Sequence, residues 1–416
     1  MEHLYSFGGE LVSSESVAFQ KLLALFHAQK KRPLCQCTHD GVPMYVARAA
    51  EGTIDEAAVP KDVRYILKRM PNSGDQHNPE CLSFEPPPEF SGLAQVMGKA
   101  IQEDPDTGLT ALKLDFPLTK AAGKRIPQGE GVESDSVESK GTKLSLRGTL
   151  HYLWEKAEFN RWSPFMANKR HWGVVRKYLL DAANRSTTKK NNLGDILYIP
   201  EPFSLAQKAE IEQRRIARME PFRAKATAGA RKLMVLVGEV KGFSESRFGH
   251  KMLVKHLADY PFYMETALYK ALEKRFNQEL GLWDPDEKRY LIALATFEIA
   301  VSGIAHVVQI SLILANENWI PFENLYDLEL IGRLTNDRRR FSKALRYNLP
   351  TKAPVACAVL TDTPKATALY IQSSTDDKDI EALTTLIAES DKPSWLWSLS
   401  DPSVPELPAP GAAEQY

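Results

Sequence analysis

The sequence predicts an α+β protein, and three patterns carry that prediction. From residue 231 onward, β-rich runs come in pairs around short polar turns, and each pair is followed by an amphipathic helix. Residues 144–222 instead carry apolar residues at helical spacing. Near the N-terminus the runs "GVPMYVARA" and "VRYILKRMP" flank a polar segment, with Cys35 and Cys37 before the first and His77 and Cys81 after the second. The expected architecture is an N-terminal zinc-clipped β-hairpin module, a basic helical middle that suits a winged-helix arrangement, and a C-terminal antiparallel sheet of hairpin–helix repeats.

The elements follow in order. Phe19, Leu22, Leu23 and Phe26 predict a helix over 14–30, with Ser13 or Ser14 as its cap. With the hairpin this helix forms a module over residues 1–90. Residues 108–118, "GLTALKLDFPL", read as a strand, and 119–143 as a Gly-, Ser- and charge-rich linker, giving a second segment over 91–142. The basic helical domain spans 143–225, with helices in "LSLRGTLHYLWEKAEFNRW", "KRHWGVVRKYLLDAANR" and "SLAQKAEIEQRRIARMEPF".

The sheet domain spans 226–400. "KLMVLVGEVKGFSESRFGHKMLVKHL" reads as one hairpin and residues 291–315, "LIALATFEIAVSGIAHVVQISLILA", as another. The second run has a membrane-spanning length, but it carries Glu298, His306 and Gln309 and a Ser302-Gly303 break, which fit two buried strands better. Pro-Phe pairs at 261–262 and 321–322, each followed by a helix, predict a repeated unit. "LYDLELIGRLTNDRRRF" is expected to be the second of these helices. A weaker third copy begins at "PVACAVL", and the Pro-rich tail 401–416 is expected to be disordered.

Lys and Arg total 53 and so do Asp and Glu, so any attraction to nucleic acid or membrane must be local. The first residues, "MEHLYSFGGELVSS", lack the basic and apolar blocks of a secretory signal, and four cysteines fit a reducing cytoplasm.

Three of the four cysteines lie in Cys35-x-Cys37 and His77-x3-Cys81. If the two β-rich runs pair antiparallel, all four residues meet at one end of the hairpin. Three thiolates and an imidazole suit tetrahedral Zn²⁺ in a structural site that leaves no position for a substrate. Such an ion would close a module too small to be stable on apolar contacts alone. Inert buried thiols and a disulfide are the other readings, and His39 competes with His77 as the nitrogen ligand. Cys357, in "PVACAVL", reads as core.

The runs "LCQCTHDGVPMYVAR…KRMPNSGDQHNPECLSFEPP", "LRGTLHYLWEKAEFNRWSP", "HWGVVRKYLL", "ENWIPFEN" and "LRYNLP…AVLTDT" resemble a bacterial domain-of-unknown-function family, number 1173, over nearly the whole chain. The resemblance makes Cys35, Cys37 and Cys81 counterparts of three N-terminal family cysteines. It implies a setting on plasmids and integrative conjugative elements, and it implies no reaction.

Phosphate-loop, dinucleotide, His-Glu-x-x-His and Gly-x-Ser-x-Gly signatures are absent, and no small-molecule substrate is indicated. Residues 143–190 hold eleven Lys or Arg against three acids, interleaved with Tyr152, Trp154, Trp162, Trp172 and Tyr178. Lys169, Arg170, Arg176 and Lys177 are the candidate phosphate contacts there. The run "RLTNDRRRFSKALRYN" adds Arg338, Arg339, Arg340 and Lys343, with 339, 343 and 346 on one face if it is helical. Solvated cations and core aromatics are the bland alternative.

Glu239-Val240-Lys241 has the Glu-x-Lys form of a divalent-metal nuclease, with both charges on one strand face and Glu298 as the only tempting partner. Asp362 reads as the start of a hairpin turn. The preferred expectation is a cytoplasmic, zinc-containing, non-catalytic nucleic-acid-binding or accessory protein of a mobile element. It would work beside other mobile-element proteins and away from membranes. A nuclease and a protein-interaction scaffold are the alternatives.

Overall fold

The computed structural model describes residues 3–48, 64–121, 141–189, 191–225, 229–247, 249–257, 259–401 and 403–411. The polar segment of the N-terminal hairpin, most of the expected 119–143 linker and the last five residues lie outside them. The described residues form a mixed α+β structure with ten α-helices and several sheets.

The centre is a seven-stranded sheet. Its long strands are Met234–Ser246, Tyr290–Ile299 and Ala305–Ala315, with Gly249–Val254 alongside the first. The apolar run 291–315 is thus two antiparallel strands, turning through 300–304 with Gly303 at φ +85°. Successive residues on these strands enter opposite cores. Met234 and Leu236 pack on one side with Leu291, Ala293 and Phe297. Val235 and Val237 pack on the other with Ile292 and Leu294. A strand buried on both faces has no polar alternation to show, and so it imitates a membrane span in sequence. No helix among the described residues is long and apolar enough to cross a membrane.

The Pro-Phe segments become short strands laid on these hairpins. Phe262–Met264 pairs with Gly249–Val254 and Pro321–Phe322 with Ala305–Ala315, and helices Thr266–Arg275 and Leu325–Asn336 follow. Two pairings in the sheet, Leu197–Tyr198 with Met234–Ser246 and Phe262–Met264 with Ala305–Ala315, are parallel rather than antiparallel.

Helix Leu146–Lys156 lies on one face of this sheet, with seven consecutive residues from Gly148 to Trp154 buried. Ser145 caps it by accepting the Gly148 N–H at 3.0 Å. Helix Trp172–Asn184 packs against it through Val175 and Leu179. Helix Phe19–Ala28 begins later than the serines suggest. Ala18 precedes it with no side-chain cap, while Ser13 and Ser16 close the turns before it.

A second, five-stranded sheet has the order Ser394–Ser398, Thr367–Gln372, Ala358–Leu360, Phe341–Lys343, Arg161–Trp162. Here one expectation fails. The helix starting at Leu325 stops at Asn336, and Arg338 adopts φ +57°, after which "FSK" turns into a strand. Residues 339, 343 and 346 therefore share no helical face. The tail also differs from expectation: Arg333 donates to the Val404 and Pro405 carbonyls, Arg339 to that of Pro408, and Trp395 to that of Glu406.

The N-terminal sheet is antiparallel throughout, in the order Glu10–Ser13, Leu4–Phe7, Leu34–Cys35, Val42–Arg48, Tyr65–Arg69.

Candidate metal centre

The hairpin places the ligands. Strand Val42–Arg48 pairs antiparallel with Tyr65–Arg69, Met44 opposite Arg69 and Arg48 opposite Tyr65. The chain entering the first strand and the chain leaving the second thus emerge side by side. Cys35 ends the short strand Leu34–Cys35, and Cys37 starts the turn closed by the Gly41 N–H on the Thr38 carbonyl. Gly41 sits there at φ +68°.

The second ligand loop folds back on itself. Glu85 N–H donates to the Gly74 carbonyl at 3.0 Å, so the chain from 74 to 85 closes as a loop. A Cβ at Gly74 would come within 2.6 Å of the Glu85 Cβ, so glycine is required for this closure. Inside it, Cys81 N–H reaches the Asn78 carbonyl at 2.8 Å, and the Asn78 side chain accepts the Glu80 N–H at 2.9 Å.

Ligand atoms of Cys35, Cys37, His77 and Cys81 all lie within 4.8 Å of one another, close enough to bind a metal ion. Cys35 Sγ is 3.7 Å from Cys81 Sγ, and His77 Nδ1 is 3.3 Å from Cys37 Sγ and 3.7 Å from Cys81 Sγ. Backbone N–H groups of Asn78 and Ser83 point at the sulfurs of Cys37 and Cys81, at 3.5 and 3.4 Å. Such donors favour the thiolate form that a metal needs. Hydrogen bonding from Cys35 and Cys37 pulls the Cys81 thiol well below its ordinary value, while hydrogen bonds with Cys37 and Cys81 push Cys35 up. Cys35, His77 and Cys81 are buried and Cys37 is half-buried. His39 is fully exposed and hydrogen-bonded to Asp40, so the competing nitrogen is outside the cluster.

The cluster is also a joint. Cys35, Val42, Met44, Cys81, Phe84 and Phe90 share one apolar cluster with Val359, Ala368 and Tyr370 of the five-stranded sheet. Arg161 donates to the Leu82 carbonyl at 2.8 Å, and Arg340 pairs with Glu80 at 3.8 Å.

A family model described as Protein of unknown function (DUF1173) matches residues 5–400, which takes in all four ligands. The chain belongs to that family. No curated protein and no solved structure matches it.

The candidate phosphate contacts scatter in this family member. Arg170 is drawn inside, donating to the carbonyls of Phe159, Asn318, Glu158 and Arg161, and burial lowers its guanidinium to about 10. Arg176 donates to the Ile199 carbonyl. Arg339 is buried in a two-pronged pair with Asp362 at 2.9 and 2.8 Å, and Lys343 is buried against Asp327 at 3.2 Å. Cations held this way face the protein, not a phosphate in solvent. Arg340 is half-buried, whereas Lys169, Lys177 and Arg338 are exposed. Tyr152, Trp154, Trp162 and Trp172 are core, but Tyr178 and Phe165 are 48% and 72% exposed.

The Glu-x-Lys pair does not assemble. The β-bulge between Val240 and Gly242 removes Lys241 from the strand register, so it is exposed while Glu239 is buried against Lys255 at 2.8 Å. Glu239 lies opposite Ile292, six residues from Glu298, or about 20 Å along the strand. Glu298 is paired with Lys120 and Arg231 instead. Asp362 sits where the sequence places it, between strands Ala358–Leu360 and Thr367–Gln372, and Cys357 is core, bonded to Asp327.

Sequence reading missed a second polar concentration: Arg147, His151, Glu323 and Arg346 line one cavity with Lys343. Its only trace in sequence is the i, i+4 pair Arg147 and His151 on a helix otherwise apolar through its buried middle.

Proposed function

We propose that this chain is a zinc-containing, non-catalytic nucleic-acid-binding protein whose metal is a structural clamp. The observation that carries the metal is spacing. Tetrahedral zinc, with bonds of about 2.3 Å to sulfur and about 2.0 Å to nitrogen, sets sulfurs about 3.8 Å apart and sulfur and nitrogen about 3.5 Å apart. Three of the six separations in the cluster, 3.7, 3.3 and 3.7 Å, match that figure, and all six lie within 4.8 Å. Three sulfurs favour zinc over the hard cations, and four protein ligands leave no open position for a substrate.

The nucleic-acid half rests on a narrower surface than the charge runs imply. Phe165, Lys169, Lys177 and Tyr178 are exposed on and beside helix Trp172–Asn184. Two cations beside two exposed rings offer phosphate contact and base stacking together. Arg170, fixed between Phe159 and Trp162 at 5.2 and 5.6 Å, anchors the segment that carries them. The setting of mobile elements, with other mobile-element proteins as partners and a reducing cytoplasm as compartment, belongs to the same proposal.

Protein purified without chelator is expected to hold about one zinc per chain by elemental analysis. Its affinity for a single-stranded oligonucleotide should fall about tenfold or more between low and physiological salt. The triple substitution Lys169→Ala, Lys177→Ala, Tyr178→Ala should abolish that binding and leave zinc content unchanged. Oligonucleotide binding unaffected by the triple substitution overturns the surface, and zinc far below one per chain overturns the clamp.

A further inference from the structure

The cavity missed by sequence has a volume of about 490 Å³, within the range of sites that enclose small organic ligands. It lies between helix Leu146–Lys156, the end of strand Ala305–Ala315, the Pro321–Phe322 segment and the chain 343–346. It shares no residue with the metal tetrad or with the exposed Lys–Tyr surface.

Its walls are rich in donors. Arg147, Arg275, Lys343 and Arg346 face it against two carboxylates, Glu279 and Glu323. Counting Asp327, which pairs with Lys343 from behind the wall, one positive charge remains. Arg147 and Arg346 are pre-set rather than floppy. Arg147 donates to the Tyr347 and Leu349 carbonyls, and Arg346 holds Glu323 while donating to the Pro350 and Ala353 carbonyls. Burial alone would push the Glu323 carboxyl up, but Arg346 and Lys343 outweigh it and hold it at about 2.

His151 defines the direction of the remaining donor. It is buried, and its Nδ1 accepts the Tyr347 N–H at 2.9 Å. An imidazole accepting at Nδ1 carries its proton on Nε2. Burial, helped by Arg147, lowers it to about 3, so the ring is neutral at physiological pH and presents one fixed N–H.

The same cavity has flat apolar surface. Phe276, Phe322 and Tyr326 line it, and the Arg275 guanidinium lies 5.1 Å from the Phe276 ring centre. Preset guanidinium groups and a neutral N–H suit phosphate oxygens, which take several donors at once. The rings beside these cations suit a planar base.

We propose that this cavity binds a nucleoside monophosphate, its phosphate held by Arg147, Arg275 and the Nε2–H of His151 and its base laid against Phe276 and Tyr326. The inference stands apart from the metal clamp and from the oligonucleotide surface, and either can fail without the other.

The test is titration calorimetry on the full chain with 5′-AMP, 5′-UMP, adenosine, inorganic phosphate and succinate. At least one nucleotide should bind with a Kd below about 1 mM, and adenosine, phosphate and succinate should each bind at least about tenfold more weakly. Arg275→Met and Tyr326→Ala, both at solvent-exposed positions, should each weaken the nucleotide about fivefold or more with unchanged thermal unfolding. Four results overturn the proposal: no heat with any nucleotide, phosphate or succinate binding as tightly, adenosine binding as tightly, or affinity indifferent to both substitutions.

Discussion

The N-terminal sheet and the seven-stranded sheet solve the same problem with different means. The long strands of the latter bury nearly every residue: nine of the ten from Tyr290 to Ile299 are buried, seven of them shared between two apolar cores. The N-terminal sheet has strands of two to seven residues, and its own cluster is Phe7, Val12, Leu23, Phe26 and Val46. Leu4, Leu11, Val17 and Leu25 remain exposed around it. Five buried side chains offset little of the entropy of ordering such a sheet. The Cys/His cluster brings together two chain segments about 40 residues apart in sequence, and an ion held there would supply the difference.

The border of the N-terminal sheet is different again. Met44 and Phe84 share an apolar cluster with the five-stranded sheet, Arg69 pairs with Glu85 within the N-terminal region, Lys68 donates to the Gly108 carbonyl, and Lys156 of helix Leu146–Lys156 pairs with Glu103 of strand Ile101–Glu103. The comparison teaches that apolar area secures the body, whereas the N-terminal sheet has few buried side chains of its own and gathers four potential metal ligands at one end.

The largest effect should come from the metal. Chelation, or Cys81→Ser, removes a term of about 10 kcal/mol by the measure of structural zinc sites. Hydrogen exchange should then lose protection in strands Val42–Arg48 and Tyr65–Arg69 and keep it in residues 234–240. Equal loss in both regions would show that the two sheets unfold as one unit and break the comparison.

Next comes the body. Leu294 is fully buried, so Leu294→Ala should cost about 2–5 kcal/mol in urea unfolding. Leu11, 61% exposed on the N-terminal sheet, should tolerate alanine within about 0.5 kcal/mol. Similar costs at both positions would contradict the contrast in core depth.

The smallest effect concerns the pair Lys156 and Glu103. Lys156 holds the Glu103 carboxyl at about 2, below its ordinary 4.5. A lowered carboxyl contributes stability that is complete above about 4.5 and is lost as pH falls through about 2. The stability difference between the natural chain and Glu103→Gln should therefore shrink by about 2 kcal/mol or less from pH 6 to pH 2, allowing for the partial exposure of the pair. A difference independent of pH would remove the ionic role of this pair.

Much of the site was legible because its information is local. Cys35-x-Cys37 and His77-x3-Cys81 are short spacings, and one hairpin is enough to bring them together. The run 291–315 was legible for a similar reason, since a Gly turn between two long apolar strands is a local instruction. The basic residues were not. "DRRRFSK" resembles a helical, solvent-facing surface, yet Phe341–Lys343 is a strand because Ala358–Leu360 and Arg161–Trp162 flank it. Arg339 and Lys343 turn inward because Asp362 and Asp327, 23 and 16 residues distant in sequence, are buried where they can pair. The 339–343–346 face and the Glu239–Lys241 face fail for related reasons, a helix end at Asn336 and a bulge at residue 241.

The amino-acid order by itself determined the α+β class, the two long hairpins and the four residues that gather in the metal cluster. Each depends on contacts between near neighbours or on side-chain period. Tertiary structure alone decided which cations face solvent, where the strand after Asn336 pairs, and that Arg147, His151 and Arg346 enclose a cavity. Whether a charge is exposed or paired depends on partners that only the packed chain brings within a few ångströms, and burial then makes that pairing obligatory.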